Sequence, residues 1–206
     1  MTVFAVLPAA GKSTRMGRPK LALPVGGRTV LEAVVAALRS AGVEHVLVVV
    51  GPHVPELVPG AERGGAHVHR LAAETADMRA TVEHGLDWLE EHFRPRPEDA
   101  WLLVPADHPT LAPDVVRAML AAHQAGGRHS VFVPTYQGRR GHPTLIAWRH
   151  VPGILAHPAG QGINTYLQMH APEIREVPVA DAGVLHDLDT PEDYERLRQD
   201  ASAKRH

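Results

Sequence analysis

The chain has 206 residues, 44% of them hydrophobic, which is enough to build one core of ordinary domain size. Its 21 lysines and arginines nearly balance 23 aspartates and glutamates, which excludes the broad basic field of a nucleic-acid or anionic-membrane binder and points to a small-molecule partner. Cysteine is absent, so disulfides and thiolate chemistry are excluded, and with no basic leader and no apolar span of ~20 residues the expectation is a cytoplasmic protein without a membrane partner.

Val3 to Leu7 is a short apolar strand that runs into a Gly-rich turn, and Leu31, Val34, Val35 and Leu38 then recur at helical spacing. Val46 to Val50, closed by Gly51-Pro52, and Trp101 to Val104, closed by Pro105, are two more buried-strand candidates. Between them Val82, Leu86, Leu89 and Phe93 form one helical stripe, and Val115, Val116, Met119 and Leu120 form another after Pro113. Farther on, Val131 to Val133 and Thr144 to Ala147 read as strands, Gln161 to His170 as a short helix, and Pro191 to Leu197 as a helix opened by Thr190. Buried strands alternating with amphipathic helices predict a single domain over 1–206, a three-layer α/β/α fold with a Rossmann-like, mainly parallel sheet and ligands at the carboxyl ends of its strands. The fifteen histidines lack zinc-protease spacing and read mostly as surface or packing residues, and Trp88, Trp101 and Trp148 read as core.

The chemistry concentrates in three stretches. Leu7-Pro8-Ala9-Ala10-Gly11-Lys12-Ser13-Thr14-Arg15-Met16-Gly17-Arg18-Pro19-Lys20 sets two glycines and four cations behind the first strand, where backbone N–H groups can converge on phosphates. It is not a P-loop, because Val6 stands where that motif needs glycine, and the dinucleotide fingerprint fails for want of a Gly-any-Gly triplet. Leu102-Leu103-Val104-Pro105-Ala106-Asp107-His108-Pro109 puts a carboxylate just past a buried strand, a place from which it can hold Mg²⁺ against a triphosphate. In His186-Asp187-Leu188-Asp189-Thr190-Pro191-Glu192-Asp193, Thr190 and Asp193 fit a helix start, and Asp187 and Asp189 point to opposite sides if extended, so one of them faces the cleft; Asp189 is the choice and Asp187 the alternative.

Taken together these stretches resemble the MobA-like nucleotidyltransferases of the nucleotide-diphospho-sugar transferase type: an Ala/Gly-rich turn, Arg-Met-Gly, a lysine, an Asp-any-Pro, and an Asp-any-Asp-Thr-Pro-Glu-Asp segment. The resemblance implies an NTP bound by Leu7, Ala9, Ala10, Gly11, Arg15, Lys20, Arg79, Thr81 and Asp107, with Arg15, Lys20 and Asp107 as the catalytic set and Mg²⁺ on Asp107 and Asp189. The turn Pro8-Ala9-Ala10-Gly11, the run Met16 to Leu21 and Gly141-His142-Pro143 are similar to those of molybdenum cofactor cytidylyltransferases, which implies CTP as donor and the phosphorylated pterin cofactor as acceptor, with delivery to a molybdoenzyme or its chaperone. Arg140, Gly141, His142 and Asn164 are the expected acceptor contacts.

Two departures from that pattern concern the acceptor. Gly160-Gln161-Gly162-Ile163-Asn164-Thr165 lacks the family's acidic residue and arginine, and Asp77-Met78-Arg79-Ala80-Thr81 keeps one hydroxyl of a Met-Ser-any-Ser segment while gaining a cation, Arg79, expected to stand in for the missing contact. A sugar phosphate or another cofactor precursor as acceptor, or a nonenzymatic nucleotide or cofactor carrier, remain the alternatives.

Overall fold

A computed structural model describes residues 1–203, and the side chains of Arg15 and of residues 201–203 lie outside that description. The main sheet runs β10-β7-β9-β6-β1-β4-β5, with a short β8 (Arg139–Arg140) paired to β7. In chain order its long-path strands are β1 (Val3–Ala9), β4 (His45–Val50), β5 (His67–Arg70), β6 (Ala100–Leu103), β7 (Val131–Tyr136), β9 (Thr144–Ala147) and β10 (Ile174–Pro178). The pairs β1–β4, β1–β6, β4–β5 and β7–β10 are parallel, while β9 runs antiparallel to both β6 and β7. A separate hairpin joins β2 (Pro24–Val25) to β3 (Arg28–Thr29). The helices are α1 (Val30–Ser40), α2 (Val58–Arg63), α3 (Met78–Phe93), α4 (Pro113–Gln124), α5 (Val151–Leu155), α6 (Ile163–Met169) and α7 (Pro191–Ala203).

The three layers follow from strand alternation. Along β1, Ala5, Leu7 and Ala9 enter one apolar cluster with α1, α2 and α4, while Phe4 and Val6 enter a second with α3, α5 and α6. Leu31, Val34, Val35 and Leu38 bury the predicted stripe of α1, whose first turn is held by a reciprocal cap in which Thr29 and Glu32 accept from each other's backbone N–H. On α3, Val82, Leu86 and Leu89 are fully buried, each worth about 1.5–3 kcal/mol relative to exposure. Gly85 allows that helix its close approach, since a Cβ there would stand 2.9 Å from methyl groups of Val6 and Val49. Trp101 and Trp148 are core residues, and Trp88 is half-buried.

Two strands of the main sheet path escaped the sequence reading, as did the two-residue strands β2, β3 and β8. β5, His67-Val68-His69-Arg70, sits on a sheet edge and offers no apolar run, and β10 at the other edge exposes Arg175 and Glu176. Among the described residues no helix is long and apolar enough to cross a membrane.

Candidate active site

The site forms where β1 and β6, neighbours in the sheet, release the chain at their carboxyl ends. Beyond β1 the loop turns through Ser13, which adopts a left-handed conformation at φ 50°; its carbonyl accepts from Met16 N–H at 3.0 Å and its hydroxyl from Lys20 N–H at 3.2 Å. The loop is thereby folded back, and Leu21, buried in the core, anchors the turn that starts at Lys20. Beyond β6, Val104 N–H still bonds to Val6 O before the chain leaves the sheet at Asp107.

Lys20 Nζ then reaches Asp107 Oδ2 at 2.6 Å and Asp189 Oδ1 at 2.9 Å. Three residues separated by up to 169 positions meet at one ammonium group. Burial on its own lowers the lysine's pKa, but the bonds to Asp107 and then Asp189 outweigh it and hold the pKa above the ordinary value, so the group is charged at neutral pH. Asp189 is delivered by two fixed points. Leu188 N–H donates to Asp107 O at 2.9 Å, and the helix beyond is capped reciprocally, Thr190 N–H to Asp193 Oδ2 at 2.9 Å and Asp193 N–H to Thr190 Oγ1 at 3.2 Å. Tyr194 then ties α7 to the β2–β3 hairpin through its hydroxyl, which donates to Pro24 O at 2.8 Å. Asp187, two positions before Asp189, lies instead against a different hollow with Asp193, Arg196 and Asp200.

A cavity of about 330 Å³ opens beside the ammonium, lined by Ala10, Gly11, Lys20, Thr81 and Asp107. A smaller hollow with Gly11, Ser13 and Asp189 adjoins it. A Cβ on Gly11 would meet nothing within 4 Å, so packing inside the protein does not demand glycine there. Leu7 and Ala9 differ from Ala10 and Gly11. Both are buried in the core as whole residues, at 0% and 1% exposure, and neither lines the cavity, so the expected nucleotide contacts at Leu7 and Ala9 are not brought to it. Thr81 Oγ1 lies 2.6 Å from Thr75 Oγ1, which brings a second hydroxyl to the cavity wall. Sequence reasoning missed Thr75, His53 and Glu74, which share this lining; Lys12 bonds Glu74 at 2.8 Å across it. Nothing in the local pattern of 71–77 marks Thr75 or Glu74, and nothing beside Gly51-Pro52 marks His53. The Arg15 side chain lies outside the described residues.

Arg79 does not contact a ligand space. Its Nε donates to Glu83 Oε1 at 2.7 Å, Nη1 to the carbonyls of Pro158 and Gln161, both at 2.7 Å, and Nη2 to those of Ile154 at 3.0 Å and His157 at 2.7 Å. A guanidinium has five N–H donors, and five acceptors surround this one, so the expected role as an anion contact gives way to a structural one.

Arg140, Gly141, His142 and Asn164 line a second cavity of about 280 Å³ together with Thr144 and Gln168. Gly141 is dictated by packing, because a Cβ would strike the carbonyl oxygen of Val184, whose other role is to accept from His142 N–H at 2.8 Å. Arg140 is exposed and paired to Glu176 at 2.9 Å. Burial, and then the neighbouring His108, push His142 down to about 4, so its ring is neutral at physiological pH. The His108 and His142 rings meet edge to face at 5.6 Å, bridging the Asp107 turn and the second cavity.

Residues 5–174 match the family of the MobA-like NTP transferase domain. The chain belongs to that family. It is 34% identical over 206 residues to phosphoenolpyruvate guanylyltransferase from Rubrobacter xylanophilus, covering 96% of this chain and 94% of the relative. It is also 34% identical over 138 residues to 2-C-methyl-D-erythritol 4-phosphate cytidylyltransferase from Ralstonia nicotianae; that match covers 62% of this chain and 53% of the relative, so the chain spans about half the length of this curated protein. A nucleotidyl transferase from Methanothermobacter superposes with a TM-score of 0.80 over 98% of this chain and 99% of its own, at 24% identity, and shares the fold. Within this MobA-like framework the fit of a divalent cation can be judged from the donors. Asp107 and Asp189 bring two carboxylates to one point, where both are paired with the Lys20 ammonium; oxygen donors of this kind fit Mg²⁺, which would have to share the two carboxylates with that ammonium. Among the described residues no group of three or more His, Asp or Glu is placed to hold a metal without a substrate.

Proposed function

We propose that this MobA-like chain is a nucleotidyltransferase that transfers CMP from CTP to a phosphorylated cofactor precursor, the molybdenum cofactor, and releases pyrophosphate. The observation that carries the transferase reading is the meeting of Lys20, Asp107 and Asp189 beside the Ala10–Gly11 cavity. The choice of CTP is supported by the Pro8-Ala9-Ala10-Gly11 turn, and the choice of acceptor by the likeness that continues through Gly141-His142-Pro143.

In this reading an acceptor phosphate oxygen attacks the α-phosphorus in line, the bond to the bridging oxygen breaks, and its electron pair leaves with pyrophosphate. The acceptor is already ionised, so the chain's contribution is positioning and charge, without a covalent intermediate. Mg²⁺ held by Asp107 and Asp189 would supply neutralisation of the triphosphate. Lys20 and Arg15 hold the departing pyrophosphate, the backbone at Ala10 and Gly11 admits the nucleoside, and Thr81 offers a hydroxyl to it. Arg140, His142 and Asn164 orient the acceptor.

A second reading changes the acceptor only. The α6 side of the acceptor cavity presents the amides of Asn164 and Gln168 and no cation, which favours a sugar phosphate with many hydroxyls over a densely anionic pterin. The deciding experiment measures pyrophosphate release from CTP, GTP, ATP and UTP with Mg²⁺, using molybdopterin, molybdenum cofactor and a panel of sugar phosphates. Release from CTP with the pterin alone supports the first reading, release with a sugar phosphate alone the second, and saturable nucleotide binding without release under any condition overturns both in favour of a carrier.

A further inference from the structure

The two stretches in which the sequence departs from the pattern of molybdenum cofactor cytidylyltransferases meet in space. Arg79, the cation gained at the start of α3, sends its guanidinium into the loop that leads to Gly160–Thr165, the stretch that lost its own charged residues. It is 7% exposed, and its four carbonyl acceptors come from Ile154, His157, Pro158 and Gln161. Ile154 lies at the carboxyl end of α5, and its carbonyl, which accepts from His157 N–H at 3.2 Å, takes Nη2 as a further donor; Glu83 balances the charge from one turn along α3.

Both ends of this contact lead to a cavity. On the near side, Asp77 caps α3 through Ala80 N–H at 2.8 Å, and Met78 and Thr81 line the nucleotide cavity. On the far side, the pinned loop delivers α6, whose Asn164 and Gln168 line the acceptor cavity. We propose that Arg79 is a positioning residue that couples the two cavities: a nucleotide that orders the Asp77–Thr81 turn fixes the 154–162 loop through the guanidinium, and with it the α6 wall that meets the acceptor. The coupling rests on the nucleotidyltransferase reading, and by linkage acceptor binding strengthens nucleotide binding to the same degree.

The test uses the full chain and needs no knowledge of the acceptor. Binding of each of the four NTPs with Mg²⁺ is followed by calorimetry, and amide hydrogen exchange of residues 154–162 is compared with and without the nucleotide that binds. In the wild-type chain the nucleotide slows exchange in this loop about tenfold, and in Arg79→Met the response falls below about twofold although the nucleotide still binds. Arg79→Lys, with three donors in place of five, keeps an intermediate response. A purely structural cap would loosen the loop in the variant without any nucleotide response in the wild type, and that result overturns the coupling. Should Arg79→Met not fold, the wild-type comparison decides alone: a nucleotide that binds without protecting the loop overturns the coupling and leaves the transferase reading standing. Failure of every NTP to bind overturns the transferase reading, and the coupling with it.

Discussion

Lys20 is the residue on which the site's electrostatics turn. Its ammonium occupies the point where Asp107 and Asp189 converge, and without it two carboxylates would face each other in a partly buried site. Lys20→Met is therefore expected to lower kcat/KM by about 10²–10³-fold, the size of one lost charge-stabilising donor in a pre-organised site. Asp107→Ala should nearly abolish turnover while the circular dichroism spectrum and cooperative unfolding persist, because Asp107 stands at the rim of the sheet and not within either apolar cluster. Pyrophosphate release by purified variants measures both, and undiminished activity in Asp107→Ala would sink its assignment to the reaction.

At the scale of elements, the site depends on two turns that are tied to it by backbone contacts. Gly141→Ala would drive a methyl group into the Val184 backbone, and because Val184 opens the segment that carries Asp187 and Asp189, activity should fall more than stability does. Thr190→Ala removes the hydroxyl that bonds the Asp193 carboxylate and accepts from Asp193 N–H, a cap worth about 1 kcal/mol, so urea unfolding should report that loss while the variant's activity falls through misplacement of Asp189. These features differ in how visible they are in the sequence. The cap at Thr190-Pro191-Asp193 and the stripes of α1 and α3 were legible because caps and 3.6-residue periodicity act locally. The strands β5 and β10 were not, since an edge strand is half-solvated and its side chains need not be apolar. Lys20, Asp107 and Asp189, which the structure brings together, could be singled out because motifs flank them. Arg79 was misread as a ligand contact because its acceptors are carbonyls 75 to 82 positions away, and a backbone carbonyl leaves no mark in the sequence.

Across the whole molecule, histidine burial sets the response to acid. His67, His69, His108, His123, His142 and His150 all have pKa values lowered from 6.5, with burial the first cause in each case, and His142 falls to about 4. Well above pH 6.5 these groups are neutral in both folded and unfolded chains and make no difference to stability. As the pH falls through 6.5 the unfolded chain takes up protons that the folded chain refuses, so stability declines until each folded pKa is reached. The carboxylates act in another window. Glu173, held at about 2 by the Ser130 hydroxyl and then by His170 and Arg149, and Asp193, held at about 2 chiefly by Thr190, stabilise the fold above their unfolded values of 4.5 and 3.8 and lose that contribution only as the pH drops below those values toward 2. Between pH 7 and 5 the histidines therefore dominate. His142 alone, lowered from 6.5 to about 4, leaves its folded and unfolded values on either side of pH 5, so a fall in Tm is expected between pH 7 and 5. His123 lies away from both cavities with its ring 5.6 Å from that of Phe132, and His123→Phe keeps an aromatic contact while removing one titration. Its thermal unfolding profile should be measurably flatter between pH 7 and 5 than that of the wild type, whereas an unchanged slope would mean that the His123 ring is as readily protonated in the folded chain as in the unfolded one.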